Sequence, residues 1–235
     1  MKLDLQAALV GIRGCVFDAY GTLFDVSSVA RGAADELKEL WQPLSDLWRS
    51  KQLQYTWLRG LAGHHADFWQ VTGEALDFAM DSIGVADPAL RGRLMNLYLK
   101  ISPYPDVKPA LDDLKSAGIK LAILSNGTPR MLAAAVANSQ LSEYFDTVLS
   151  VEEVGVFKPH PSVYRLAPQR LSMRADEICF LSSNGWDAWS AKAFGFRVLW
   201  CNRSGQVAER IPSLPDGELP DLSRLGSLFK ANPGD

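Results

Sequence analysis

The stretch Gly14-Cys15-Val16-Phe17-Asp18-Ala19-Tyr20-Gly21-Thr22-Leu23-Phe24-Asp25 decides the fold. Cys15, Val16 and Phe17 make an unbroken apolar run too short for a helix, the pattern of a strand covered on both faces of a parallel sheet. The run stops at Asp18, a carboxylate delivered into a turn that Gly21 permits. Thr22 lies four residues on and can bring a hydroxyl back toward that carboxylate. An isolated Asp at a strand end is more often a turn former or a helix cap than a catalyst, so its reading depends on the rest of the chain.

Outward from this strand, residues 26–100 read as helices with no strand between them. Leu37, Leu40, Trp41, Leu44, Leu47 and Trp48 recur at three- and four-residue spacing, and a second series runs Leu53, Trp57, Leu58 and Leu61. Both series are expected to face a core. Phe68-Trp69 precede a helical stretch from Gly73 to Ile83, which Gly84 ends. Asp87-Pro88 opens the next helix, with Asp as N-cap and Pro at the first helical position. Beyond Asp106 the pattern changes: a helix over 106–117 has Gly118 just past its end, and strands at 120–124, 147–150, 178–181 and 197–200 alternate with helices over 129–138, 162–171 and 187–194. Such alternation implies a parallel sheet with right-handed crossovers and helices on both faces. The tail after Gly205, broken by Pro212, Pro215 and Pro220, reads as loop.

In open α/β sheets the reactive groups gather at the carboxyl ends of the strands. Asp18, Ser125 and the run from Ser182 to Asp187 are expected there, with Lys158 in a loop at the same edge. The helical insertion is expected to close over them and exclude water.

Composition removes several classes of function. The 235 residues are 47% hydrophobic and 22% charged, as in an ordinary globule. Twenty-four basic against twenty-seven acidic residues leave a net charge of −3 with no dense basic stripe, which argues against a nucleic-acid partner. Asp4 interrupts the first apolar stretch, and no segment approaches the roughly 20 apolar residues of a membrane span. A cytoplasmic location is the default expectation. Cys15, Cys179 and Cys201 are odd in number and sit in or beside buried strands, so they read as small hydrophobes in a reducing compartment. His64, His65 and His160 lack metal-ligand spacing and read as structural.

Asp18-Ala19-Tyr20-Gly21-Thr22-Leu23 after an apolar strand resembles the first motif of the haloacid dehalogenase superfamily, whose members attack substrates with that Asp. Leu124-Ser125-Asn126-Gly127, Phe157-Lys158-Pro159-His160-Pro161 and Ser182-Ser183-Asn184-Gly185-Trp186-Asp187 follow in the expected order. With Leu47-Trp48-Arg49 and the run from Lys51 to Trp57, the chain resembles the narrower family of L-2-haloacid dehalogenases along nearly its whole length. The fold so implied is a Rossmann-like, five-stranded parallel core sheet flanked by helices (1–25 and 102–235), with an inserted all-helical cap domain (26–101). The resemblance also implies the site. Arg49, Asn126 and Phe68 cradle the departing halide, Tyr20, Leu53 and Trp186 shape the rest of the pocket, and Ser125 with nearby backbone N–H groups takes the substrate carboxylate. Thr22 serves Asp18. Tyr164 orients Lys158, and Asp187 positions or deprotonates the hydrolytic water with Ser182 and Asn184 holding it.

Two departures from the phosphatases of the superfamily sharpen this expectation. Their second Asp, which protonates a basic alkoxide, is Tyr20 here, and a phenol with a pKa of ~10 is a poor proton shuttle at neutral pH. A halide leaves without a proton, so the missing acid costs dehalogenation nothing. Ser183 stands where those phosphatases carry a magnesium-binding Asp, removing one anionic ligand for a hard cation. Lys158 supplies positive charge instead, favouring the ionised forms of Asp18 and Asp187. The expected activity is metal-free, cofactor-free hydrolysis of short L-2-haloalkanoates to D-2-hydroxyalkanoates through an ester on Asp18. A magnesium-dependent phosphomonoesterase on the same fold, using Asp18 and Asp187, is the alternative, and a non-catalytic binding protein is a third. The small-molecule acid is the expected partner. Relatives of this family are commonly homodimers.

Overall fold

β1 (Gly14–Phe17), β2 (Lys120–Ser125), β3 (Thr147–Ser150), β4 (Ile178–Ser182), β5 (Arg197–Cys201) and β6 (Gly217–Leu219) form one sheet in the order β3-β2-β1-β4-β5-β6. Every neighbouring pair is parallel. The computed structural model describes residues 5–229; Asp4 lies outside them. The chain builds outward from β1 to β3, then crosses back to lay β4 on the other side of β1. The order therefore reverses at β1, and the crevice at the carboxyl end of that reversal is where open α/β sheets bind ligands. Phe17 is level with Ile123 and Leu181, and the Asp18 N–H still donates to the Leu181 carbonyl at 2.9 Å. Asp18 is thus fixed as the last rung of the ladder rather than carried on a free loop.

Cys15, Val16 and Phe17 are wholly buried, as their unbroken apolar run requires. Removing a ring such as Phe17 from this position would cost ~3–5 kcal/mol. All three cysteines are buried free thiols. The sheet has six strands, not the five expected. β6 was missed because Gly217, Glu218 and Leu219 contain no β-branched or aromatic residue and lie between prolines, the features that usually mark a loop.

A short α1 (Leu5–Ala8) precedes β1. Between β1 and β2 come α2 (Ser27–Arg31), α3 (Ala34–Leu37), α4 (Trp41–Ala62), α5 (Phe68–Ser82) and α6 (Pro88–Leu99), then α7 (Val107–Ser116) returns to the sheet. The rest are α8 (Pro129–Asn138), α9 (Pro161–Leu171), α10 (Gly185–Phe194) and α11 (Leu225–Phe229). α9 packs on β2 and β3, and α10 on β4 and β5. Among the described residues no helix is long and apolar enough to cross a membrane.

The helical insertion departs from expectation in three places. α4 is one continuous helix of 22 residues, and its buried stripe is Leu44, Ser45, Trp48, Gln52 and Thr56. The second apolar series faces outward: Trp57, Leu58 and Leu61 are exposed. α5 begins at Phe68 rather than Gly73, because the Asp67 carboxylate caps it by accepting from the Gln70 N–H. Asp87 and Pro88 do open α6 as expected, with the Asp87 side chain accepting from the Leu90 N–H.

The tail is more than loop. Leu219, Leu222 and Leu225 are buried, and α11 packs on α7. Arg203, just before Gly205, donates to the Thr22 carbonyl at 3.0 Å and forks onto the Asp106 carboxylate at 3.0 and 2.8 Å. Its guanidinium lies 4.0 Å from the centre of the Tyr104 ring. One side chain thereby ties the turn after β1 to the segment where the chain returns from the insertion.

Candidate active site

The turn that follows Asp18 is fixed from both sides. Gly21 adopts a φ of +93°, a left-handed conformation that a side chain would strain. The Thr22 hydroxyl accepts from the Ser183 N–H at 2.8 Å and lies 3.2 Å from Asp18 Oδ2. With that lone pair committed, the Thr22 proton is free to go to the carboxylate, linking the ends of β1 and β4 through one hydroxyl.

Three charged groups meet below this turn. Lys158 Nζ donates to Asp18 Oδ1 at 3.1 Å and to Asp187 Oδ2 at 2.8 Å. Asn184 Nδ2 donates to Asp18 Oδ2 at 2.8 Å, and the Tyr164 hydroxyl donates to Asp187 Oδ1 at 2.6 Å. Lys158 is only 1% exposed and Asp187 0%, so these ions have no recourse to water. Burial works against the Lys158 ammonium, but Asp18 and Asp187 outweigh it and its pKa lies above the ordinary lysine value. Burial raises the Asp187 pKa, with Lys158 opposing and Asp18 adding to the rise. Burial first, then the Asp187 charge, lifts Tyr164 well above a normal phenol, so it remains a donor. Tyr20 is likewise pushed well up by burial, reinforced by Tyr98 and Asp18.

Arg49 reaches this cluster from α4. Its guanidinium donates to Gln52 Oε1 at 2.7 Å, to Asn184 Oδ1 at 3.2 Å and to the Tyr20 carbonyl at 3.3 Å. Each acceptor is neutral, and among the described residues no ion pair involves Arg49. Its charge is held in place yet uncompensated by any carboxylate, which suits a group waiting for an anion.

The pocket these groups line is closed to about 10 Å³, roughly the space for one water. Tyr20, Leu53, Phe68, Ser125, Asn126 and Trp186 complete its wall. Asn126 Oδ1 accepts from the Lys158 N–H at 3.0 Å, which leaves the amide hydrogens as its remaining capacity. Ser125 Oγ accepts from the Gly127 N–H at 3.1 Å. Gly127 must be glycine, because a Cβ there would lie 2.7 Å from a Tyr20 ring carbon.

Three expected contacts differ. Tyr164 bonds Asp187 rather than Lys158. The Asn184 side chain bonds Asp18 and Arg49, the residue's only bond to Asp187 being the backbone one from the Asp187 N–H to the Asn184 carbonyl at 3.0 Å, and Ser182 Oγ accepts from the Asn184 N–H at 3.2 Å, holding the loop rather than the acid. α10 begins at Gly185 rather than Asp187, with Asn184 at its N-cap position and Asp187 in its first turn.

Gln52 was missed. It is 1% exposed, and its amide donates to Thr72 Oγ1 at 2.7 Å and to the Tyr98 hydroxyl at 3.1 Å, which aims its oxygen at Arg49. Tyr98 and Thr72 were missed with it. The available signal was the four-residue spacing of Trp48, Gln52 and Thr56 on α4, which continues one helix face with polar residues.

The site does not fit magnesium. Asp18 and Asp187 each direct an oxygen at Lys158 Nζ, and Ser183, not an acid, stands at the third position. A buried carboxylate at the switch point of a parallel sheet, charge-balanced by lysine beneath helical residues that line the same pocket, places the chain in the Rossmann-like α/β class with a reactive group at the carboxyl end of its central strand.

The haloacid dehalogenase-like hydrolase model matches residues 12–195, and the chain belongs to that family. It is 45% identical to (S)-2-haloacid dehalogenase 1 of Pseudomonas sp. (strain CBS-3), over 93% of this chain and 96% of that one. A crystal structure of a dehalogenase superposes with a TM-score of 0.92 at 44% identity, covering 94% of this chain and 98% of the other. The L-2-haloacid dehalogenase of Xanthobacter autotrophicus with chloropropionic acid covalently bound superposes at 0.84, with 40% identity over 92% and 98%.

Proposed function

We propose that this chain is an (S)-2-haloacid dehalogenase that converts short L-2-haloalkanoic acids to D-2-hydroxyalkanoic acids. The observation that carries the reading is the opposition of two groups: Asp18, held by Lys158, Asn184 and Thr22, faces an Arg49 whose hydrogens go only to neutral acceptors. An Asp18 oxygen attacks the carbon bearing halogen from the back. The carbon–halogen bond breaks with its electron pair going to halide, and an ester forms on Asp18. Arg49, the Asn126 amide and the Phe68 ring edge receive the halide, while Ser125 and adjacent backbone N–H groups take the substrate carboxylate. Water then attacks the ester carbonyl and gives a proton to Asp187; the bond between the Asp18 carboxyl carbon and the substrate oxygen breaks, the leaving alkoxide takes that proton back from Asp187 to give the hydroxy acid, and the Asp18 carboxyl sheds its own proton to solvent. The burial that raises the Asp187 pKa makes it a better base than an exposed Asp. The covalently bound chloropropionic acid in the Xanthobacter relative supports the ester step.

This reading takes residues 26–101 as the cap domain that seals the pocket. It also places the protein in the cytoplasm, supported by three buried free thiols, and keeps a homodimer as the expected assembly, to be read by light scattering.

Two measurements test it. L-2-chloropropionate should give D-lactate with activity unchanged by exhaustive chelation; activity lost to EDTA and restored by magnesium would point to the phosphatase. In a single turnover in water enriched in heavy oxygen, label should enter Asp18 and the lactate hydroxyl should carry unlabelled oxygen. Label in the first product, with none in the Asp18 peptide, would recast Asp18 as a general base.

A further inference from the structure

The catalytic pocket has a larger neighbour. A hollow of about 380 Å³ lies between α4 and the core, lined by Thr56, Trp57 and Gly60 on one side and Val156, Phe157 and Ile211 on the other. That volume is within the ~300–1,000 Å³ of small-molecule sites. Its surface is mostly apolar, with Thr56, Lys158, His160 and Ser190 as the polar members of the lining, and it opens to solvent past Trp57 and Ile211, which are exposed. Lys158 and Trp186 line the hollow and the catalytic pocket alike, so the partition is one side chain thick.

The two halves of that partition differ. Lys158 is fixed by two buried carboxylates. Trp186 has no hydrogen bond at its buried Nε1 and rests edge-on against Trp57, with ring centres 5.4 Å apart. Only packing holds the indole, so it is the part that can give way. The catalytic pocket, closed to about one water, cannot take a substrate and its alkyl tail without some wall yielding.

We propose that this hollow is a subsite for the alkyl chain of longer 2-haloalkanoic acids, reached when the Trp186 indole swings off the partition. The inference rests on the dehalogenase reading and extends its substrate class. The carboxylate and halide stay in the polar pocket, and carbons from the fourth onward lie among Trp57, Val156, Phe157 and Ile211. Each buried methylene should then improve kcat/KM by up to about fourfold.

Gly60 gives the test. A Cβ there meets only Val156 Cγ2, at 3.9 Å, and Gly60 lines the hollow, so the position has room to begin a side chain directed into it. Gly60→Phe should leave kcat/KM for L-2-bromopropionate within about twofold while lowering that for L-2-bromohexanoate at least about tenfold, the worth of some two buried methylenes. Ile211→Trp, which fills the hollow from the tail side, should reproduce the effect, and circular dichroism and thermal melts verify both folds. Equal losses for both acids would make the hollow an entry path and overturn the subsite. No loss for the longer acid would overturn it as well. Should the wild type turn over neither acid, the dehalogenase reading fails, and the subsite is judged by binding alone. Hexanoate should then quench tryptophan fluorescence at lower concentration than propionate, and Gly60→Phe should abolish the difference; equal binding of the two acids refutes it.

Discussion

The sheet edge and the face of α4 that opposes it solve the same problem, holding charge away from water, in opposite ways. At the sheet edge, Lys158 is neutralised by Asp18 and Asp187 in a cluster that is buried but for the face Asp18 turns to the pocket. On α4, Arg49 is held by a carbonyl and two amide oxygens, and behind Gln52 stand the hydroxyls of Thr72 and Tyr98. Paired charges fix a nucleophile and cannot be unpaired cheaply. A cation held by neutral acceptors keeps its field for whatever arrives. The core side is therefore expected to be intolerant in stability, and the cap side in rate.

Lys158→Met should break the first half of that comparison most severely. Turnover should be lost, and stability should fall by ~3–5 kcal/mol because two buried carboxylates are left without their cation. Chemical denaturation checks the stability, and adding Asp187→Asn to the same chain should recover part of it. A neutral Lys158→Met would mean that water or another cation already serves the carboxylates.

Arg49→Lys should lower kcat and kcat/KM together by about 10²-fold, since a point charge cannot reproduce a planar fork aimed at a leaving anion. Denaturation should move by less than ~1 kcal/mol, because no ion pair is broken. A raised KM with unaltered kcat would instead put Arg49 on the substrate carboxylate.

Gln52→Leu tests whether the neutral network positions Arg49 or merely fills α4. The Tyr98 hydroxyl loses its partner, at a cost of ~1–3 kcal/mol, and kcat should fall about tenfold through misaimed guanidinium. Destabilisation with kcat intact would reduce Gln52 to a packing role.

The smallest effect expected is an absence on the alkaline side of the pH profile. Because Lys158 has a folded pKa above its unfolded value of ~10.4, its contribution to stability is full below that pH and is lost only as pH rises through the higher folded value. Tyr20 and Tyr164 are raised too. Profiles of kcat/KM should therefore show no alkaline limb below pH ~10. Asp187, raised by burial, takes up its proton in the folded chain before the unfolded one does as pH falls. Its ionised form thus weakens the fold at neutral pH, a penalty relieved on acidification, while the rate should fall with an acid midpoint above the ordinary Asp value of ~3.9. An alkaline limb near pH 8 would break the assignment of the lysine as permanently charged.

The fold was legible where local pattern and tertiary environment agree. The apolar run before Asp18, the strand–helix alternation after Asp106 and the Asp87-Pro88 start of α6 each state their structure in a few neighbouring residues. β6 did not, since Gly217, Glu218 and Leu219 become a strand only because the edge of β5 offers unpaired backbone groups. The outer half of α4 misled for a related reason: Leu58 and Leu61 are apolar yet exposed, while the buried face carries Gln52 and Thr56. Periodicity reports which face is apolar, and here the face that matters is polar because a cation must be held there. Family motifs brought the charged cluster to attention; they could not say that Asn184 bonds Asp18 and Arg49, because that depends on how α4 lies over the sheet.

The neck of the molecule has a mechanical meaning. Where the chain leaves the core and where it comes back, the two crossings are stitched together: the Asp25 N–H to the Ser102 carbonyl at 2.9 Å, the Tyr104 N–H to the Leu23 carbonyl at 3.0 Å. Arg203 grips one crossing by Thr22 and the other by Asp106. Such a joint behaves as a single pivot rather than two independent tethers, so a protease that nicked either crossing would find the other still fastened. Leu222 of the tail adds to the same joint, its N–H donating to Asp106 Oδ2 at 2.7 Å, so a stretch remote from Asp18 helps fasten the root of the segment that carries Arg49.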